Sequence, residues 1–115
     1  MAPKLEFLTG LGMSWDDAVA MVLRCPALFT FSVERNYKPK FEYLVVEMGG
    51  GVEDIKAFPE YFAFSLEKRI AQRHRAAADA GVTLPLPDML KATDEGFREM
   101  LDKEQKLQGQ TATTD

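Results

Sequence analysis

"CPALFTFSVER" at residues 25–35 returns as "FPEYFAFSLEKR" at residues 58–69. Pro26/Pro59, Phe29/Phe62, Phe31/Phe64, Ser32/Ser65 and Glu34/Glu67 agree in type and order at an offset of 33 (59 − 26). A second pair supports the first. "PKLEFL" at 3–8 matches "PKFEYL" at 39–44 at an offset of 36 (39 − 3), the difference falling in the segment that joins the motifs. A partial third copy starts at 68–73, "KRIAQR", where Gln72 stands in the place of Pro39. A period in the low thirties indicates a solenoid of short helical units, none of which can bury its apolar face without a neighbour.

Local signals place the helices. Pro39 pre-sets a helical φ, and Phe41, Leu44, Val45 and Met48 follow at helical spacing until Gly49–Gly51 stops the run. "PKLEFLTGLG" reads the same way and stops at Gly10 and Gly12. Ser14 offers a cap oxygen and Asp16 and Asp17 suit a helix start; Trp15, Val19, Val22 and Leu23 are the expected inward face of a helix to about Arg24. Pro26 removes a donor, so that helix ends near Cys25 and a short tight turn follows. Ser32 and Ser65 are expected to cap the next helices. The second of these should run unbroken from Leu66 to about Ala80, because Gln72 replaces the proline, and stop at Gly81. "VTLPLP" is expected as an extended crossing, and Thr93 as the cap of a last helix over about 94–107 that buries Phe97, Met100 and Leu101.

The expected division is therefore a helical-repeat domain over 1–108 and a disordered tail over 109–115. The domain holds repeats over about 3–36 and 39–70, a partial third over 71–81 and a C-terminal helix within 88–108. An open N-terminal edge is expected to leave Leu5, Phe7 and Leu8 partly uncovered, favouring marginal stability or self-association.

Composition narrows the function. A chain of 115 residues with 46% hydrophobic content can build one small core. Its single Cys excludes an internal disulfide and suits a reducing compartment. The apolar run "AVAMVL" is far too short to span a bilayer, and "MAPKLEFLTG" has neither signal-peptide nor transit-peptide character. The net charge of −4 does not advertise a nucleic-acid binder, but it is unevenly placed: "KRIAQRHR" at 68–75 carries four bases and no acid.

"CPALFTFSVERNYKPKFEYL" and "FPEYFAFSLEKRIAQRH" resemble repeats of the mitochondrial transcription termination factor (mTERF) family, and the second, preceded by "MGGGVEDIKA", resembles closing repeats of plant and algal organelle members. The resemblance covers residues 3 to about 100. It implies an all-α, curved solenoid whose repeats each contain two α-helices and a short 3-10 helix. It implies binding of double-stranded DNA or structured RNA along a basic face, in organelle transcription termination or regulation or in RNA maturation. The implied partners are organelle DNA or RNA and other organelle gene-expression proteins, with no membrane and no small-molecule substrate, in a plastid or mitochondrion. Family members usually carry more repeats and a transit peptide, and by repeat alignment Met1 falls opposite Tyr37, so the chain is expected to correspond to the C-terminal part of a longer protein.

No catalytic, cofactor or metal constellation stands out. His74 is the only histidine, which rules out a His dyad. "GGGVED" places acids where a phosphate-cradling loop needs Gly-Lys-Ser/Thr. Phe29, Phe31, Tyr61, Phe62 and Phe64 recur at equivalent repeat positions, which marks them as core rather than base-stacking platforms. The functional signal is basic. Arg69 and Arg73 stand four apart on one helix face, Lys68 and Arg75 on the neighbouring face, and Lys38 and Lys40 recur one repeat earlier; these six are the candidate phosphate contacts. The competing reading is a helical-repeat protein–protein adaptor, which the acidic total charge favours.

Overall fold

Two prolines open the structural repeat. Pro26 and Pro59 each begin a single 3-10 segment, Pro26–Thr30 and Pro59–Ala63, directly after a short α-helix. Each missing N–H falls where a helix start leaves amides unpaired anyway, so the proline costs no hydrogen bond. The computed structural model describes the backbone of residues 2–113 and the side chains of residues 3–107. The described residues contain no strand; they form α1 (Ala2–Gly10), α2 (Trp15–Arg24), α3 (Lys38–Val46), α4 (Val52–Ala57), α5 (Ala71–Asp79), α6 (Leu86–Lys91) and α7 (Asp94–Thr113). The chain divides after Ser65 into two units, residues 1–65 and 66–115.

In the first unit, Ser14 caps α2 by accepting from the Asp17 amide at 3.1 Å, and Ser32 accepts from the Arg35 amide at 3.2 Å. The helix after Ser32 opens with a π turn, Val33–Tyr37, and continues directly into α3. In that turn the Tyr37 amide reaches back to the Ser32 carbonyl and the Lys38 amide to that of Val33, five residues each. Pro39 lies at the second position of α3, where a wider preceding turn gives its ring room. Proline is not the cause, however. The second unit opens with the same π turn, Leu66–Ile70, before α5, although Gln72 occupies the proline's place. The expectation of one helix from Leu66 to Ala80 is met in continuity but not in pitch. Its end is conventional: Gly81 adopts φ +71° and the Val82 amide closes onto the Ala77 carbonyl at 2.8 Å.

The core of the first unit is made by Leu8, Val22, Leu28, Tyr37, Leu44, Ile55, Tyr61 and Phe62, all essentially inaccessible. Rings stack through it, with Tyr37 and Phe62 centroids 4.8 Å apart and Tyr61 and Phe62 5.5 Å apart edge to face. Two expectations hold only in part. Leu5 and Leu8 are buried rather than left open at the edge, because α1 packs against α2, while Phe7 is partly uncovered as expected. On α2 Val22 is buried as expected, but beside Ala18 and Met21; Val19 is half-buried, and Trp15 and Leu23 face solvent.

The second unit buries Ile70, Ala77, Val82, Met89, Leu90 and Phe97. Its C-terminal part is a third copy of the repeat motif that the sequence reading missed. "LPDMLKATDE" at 86–95 matches "FPEYFAFSLE" at 58–67, with Pro87 for Pro59 and Thr93 for Ser65, at an offset of 28 (86 − 58). The shortening falls at 82–85, where an extended link stands in place of a first helix. Thr93 takes the capping role, accepting from the Gly96 amide at 3.0 Å. Thus the partial third repeat does not end at residue 81, and the expected C-terminal helix within 88–108 is two helices parted at Ala92. Helix α7 also continues through Gly109 to Thr113, a lone glycine costing a helix only about 1 kcal/mol. Of the expected disordered tail, residues 114–115 lie outside the described residues.

The buried tyrosines generate an alkaline limit to stability. The Tyr37 hydroxyl donates to the Leu28 carbonyl at 2.7 Å and that of Tyr61 to the Lys40 carbonyl at 2.6 Å. Burial, with Cys25 nearby, pushes the Tyr37 phenol up to about 12, and burial likewise raises that of Tyr61. The folded state therefore holds protons that the unfolded chain releases near pH 10. Their contribution is complete below pH 10 and is lost as pH rises toward 12. In a titration followed by phenolate absorbance and helical circular dichroism, these two of the three tyrosines should ionise only as helix is lost. Tyr37→Phe should make the loss less steep.

Candidate nucleic-acid interface

Arg69 and Arg73 do share one helix face, but that face points inward. The Arg73 guanidinium is 3% exposed; Nη1 donates to the carbonyls of Met89 at 2.8 Å and Ala92 at 2.6 Å, and Nη2 to Asp94 Oδ1 at 2.9 Å. Its central carbon lies 5.0 Å from the centroid of Phe97. Arg69, half-buried, donates through Nη1 to the Leu90 carbonyl at 3.1 Å. The cause is the end of α6, whose last carbonyls have no intrahelical donors. A planar guanidinium with five N–H groups is suited to collect several of them.

The first unit has the same arrangement one repeat earlier. Asn36 and Lys40 stand at the positions of Arg69 and Arg73 (36 + 33 and 40 + 33). Asn36 Nδ2 donates to the Phe62 carbonyl at 3.1 Å and Lys40 Nζ to the same oxygen at 2.7 Å. Lys40 is 8% exposed, with its ammonium 5.9 Å from the Phe31 ring centroid, and burial pushes its pKa below the usual lysine value. The expectation that Lys40 and Arg73 face phosphates thus meets a physical obstacle: both are enclosed and engaged with main-chain carbonyls.

The remaining candidates are placed differently. Lys38 is exposed and pairs with Glu34 at 2.7 Å, an i,i+4 contact that water screens heavily. Lys68 and Arg75 are exposed. Arg35, absent from the six, is also exposed and occupies the position of Lys68 (35 + 33). The signal was present in "FSVER" against "FSLEK": each repeat carries a cation three residues after its serine. The Ser32 cap fixes Arg35 in the first turn of its helix. The aromatic positions divide as well. Tyr61 and Phe62 are fully buried, Phe31 and Phe64 half-buried, and Phe29 is 39% exposed. Among the described residues no group of three or more His, Cys, Asp or Glu is placed to hold a metal ion, and no helix is long and apolar enough to cross a membrane.

Proline-led short turns, serine-capped helices and their recurrence define a helical-repeat protein. The model of the mTERF family matches residues 1–98, and the chain belongs to that family. It is similar to the chloroplastic transcription termination factor MTERF2 of Arabidopsis thaliana, with 34% identity over 104 residues, 90% of this chain and 16% of that protein. It is also similar to chloroplastic MTERF4 of the same plant, 32% identical over 88% of this chain and 18% of that protein. The chloroplastic MTERF4 of Oryza sativa subsp. japonica is 32% identical over 84% and 19%. The chain therefore spans less than a fifth of the length of these relatives. No solved structure gives a significant match.

Because Arg73 satisfies three oxygens at once, Arg73→Ala should destabilise the chain by about 2–4 kcal/mol, the cost of leaving buried carbonyls unpaired. Arg73→Lys, which keeps the charge without the fork, should recover only part of that loss. Thermal melts followed at 222 nm measure both.

Proposed function

We propose that the chain contacts the phosphate backbone of double-stranded DNA or structured RNA, in the service of organelle gene expression within a plastid. The relatives' names supply the setting: each of the three described above is a chloroplastic transcription termination factor. The observation that carries the binding role is the exposed cation repeated at one position of successive units, Arg35 and Lys68, supported by exposed Lys38 and Arg75. Phosphate contact needs cations that solvent can reach, and each unit presents one at the same position of its own repeat. Arg69, half-buried, acts mainly through the Leu90 carbonyl, and Lys40 and Arg73 hold the fold that presents the outer cations.

A protein–protein adaptor role is favoured by one separate observation, the exposed apolar residues of α2. The two roles occupy different residues, and a titration separates them. Anisotropy titrations of unrelated duplexes at several salt concentrations should show that Arg35→Ala with Lys68→Ala weakens binding by a similar factor on each, because phosphate contacts carry no base information. The slope of log K against log salt should fall by about 0.9 for each lost contact. Unchanged affinity and slope would identify these side chains as ordinary solvated surface and leave the adaptor role ahead.

A further inference from the structure

We propose that the outer face of α2 is a repeat junction, covered by a preceding helical repeat of the same kind that presents an apolar side chain, not an acid, at the place of Asp17. Trp15 and Leu23 are 55% and 67% exposed, and half-buried Val19 lies between them. Residues four apart fall on one helix face, so the three form a single apolar stripe along α2. A repeat that ends a stack ordinarily carries a polar outer face. Tryptophan and leucine make the opposite kind of surface, one that calls for cover.

The other side of α2 shows what the cover is, because it is already joined to the next repeat. Asp17 and Arg24, seven apart, share that side. Asp17 pairs with the Lys56 ammonium at 3.0 Å, and Arg24 Nη1 donates to the Lys56 carbonyl at 3.3 Å. Lys56 holds the position of Leu23 one repeat on (56 − 33). The junction therefore sets positions 17 and 24 of one repeat against position 23 of the following one. On α2 that receiving position is Leu23, and its stripe is centred about 150° around the helix from Asp17 and Arg24.

The repeat pattern supplies the neighbour. Helix α1 carries "PKLEFL", the counterpart of "PKFEYL" in α3, and α3 closes the repeat that α2 opens. Helix α1 thus closes a repeat whose opening helix stands to α2 as α2 stands to α4. The chain spans less than a fifth of the relatives described above, whose length has room for such a repeat. A second copy of this chain does not fit the face, because its own α4 already engages its Asp17 and Arg24. The chemistry of the covering helix follows. Leucine forms no ion pair, so the residue that meets it is apolar. A basic residue seven positions further on reaches the Leu23 carbonyl near the end of α2, as Arg24 reaches that of Lys56 near the end of α4.

Supplying a neighbour tests this. A copy of residues 3–38 placed ahead of Pro3 in the full chain keeps the natural spacing, since "PKLEFL" and "PKFEYL" stand 36 apart (39 − 3). The added copy carries Trp15→Met, the residue found at 48 (15 + 33), so that the chain's own Trp15 is the single reporter. The unextended chain should be monomeric in sedimentation equilibrium, with Trp15 emitting at the long wavelength of a solvated indole. In the extended chain with Asp17→Leu in the added copy, that emission should shift to shorter wavelength and the helical signal at 222 nm should rise. Against the chain's own Leu23, this Asp17→Leu change should raise the melting midpoint by about 2–4 °C, the effect of one apolar contact in a chain of about 150 residues. Once the chain's own copy carries Leu23→Lys, the same change should give no gain, because it then removes the ion pair of the natural junction. Trp15 emission that stays long in the extended chain, an extended chain with no added helix, or equal melting effects against leucine and lysine would each overturn the proposal. So would an unextended dimer that Leu23→Lys dissolves, which would give the face to a second copy. A blue-shifted Trp15 in an unextended monomer would also overturn it, by showing the chain's own residues covering the face.

Discussion

A short helical turn ends with carbonyls that it cannot pair, and the structure is organised around who supplies the missing donors. The segments Pro59–Ala63 and Leu86–Lys91 are too brief to satisfy their own last oxygens. In both cases two side chains four apart on a longer helix reach across: Asn36 with Lys40 to Phe62, and Arg69 with Arg73 to the carbonyls of residues 89–92. The tyrosines work in the same direction, Tyr61 returning a hydrogen bond to the Lys40 carbonyl while the Lys40 ammonium holds Phe62. A buried carbonyl without a donor costs about 1–3 kcal/mol, comparable to burying a large side chain. These contacts are therefore as much a part of the core as the stacked rings beside them.

This demand sorts the basic residues into two kinds. Lys40 and Arg73 are withdrawn from solvent to serve the main chain, whereas Arg35, Lys38, Lys68 and Arg75 remain outside. A chain of net charge −4 can approach a polyanion only through local rows of cations, because its overall field is repulsive.

Much of the fold was legible. The duplicated proline, serine and glutamate fixed the period and the caps, and glycines at 12, 49 and 81, all with positive φ, marked helix ends. The third motif escaped because Met89, Leu90 and Ala92 replace the aromatics that made the first two copies conspicuous, and because its spacing is five residues shorter (33 − 28). The inward face of α2 was placed one residue out, since Trp15 and Leu23 are the larger side chains and Ala18 and Met21 the buried ones. The candidate interface was less legible than the fold. Lysine and arginine are seldom enclosed unless something engages them, and what engages them here, the carbonyls of a turn more than fifteen residues away, leaves no trace in composition.

The π turns carry a further implication, for helix phase. Each α-helical residue advances the side-chain direction by about 100°, so one extra residue in a turn rotates everything that follows by that angle. With the five-residue turn over Val33–Tyr37, Lys40 arrives over the Phe62 carbonyl; without it, a different neighbour would point there and Lys40 would swing toward water. The same holds for Leu66–Ile70 and Arg73. The wide turn acts as a rotational offset written into the backbone, and it decides which of several adjacent cations is spent on the interior and which is left for solvent. A single-residue deletion within 33–37 or 66–70 would remove the extra residue and let the turn close as an ordinary α turn with Lys40 or Arg73 still in place, whereas tightening the turn with every residue kept would exchange the two sets.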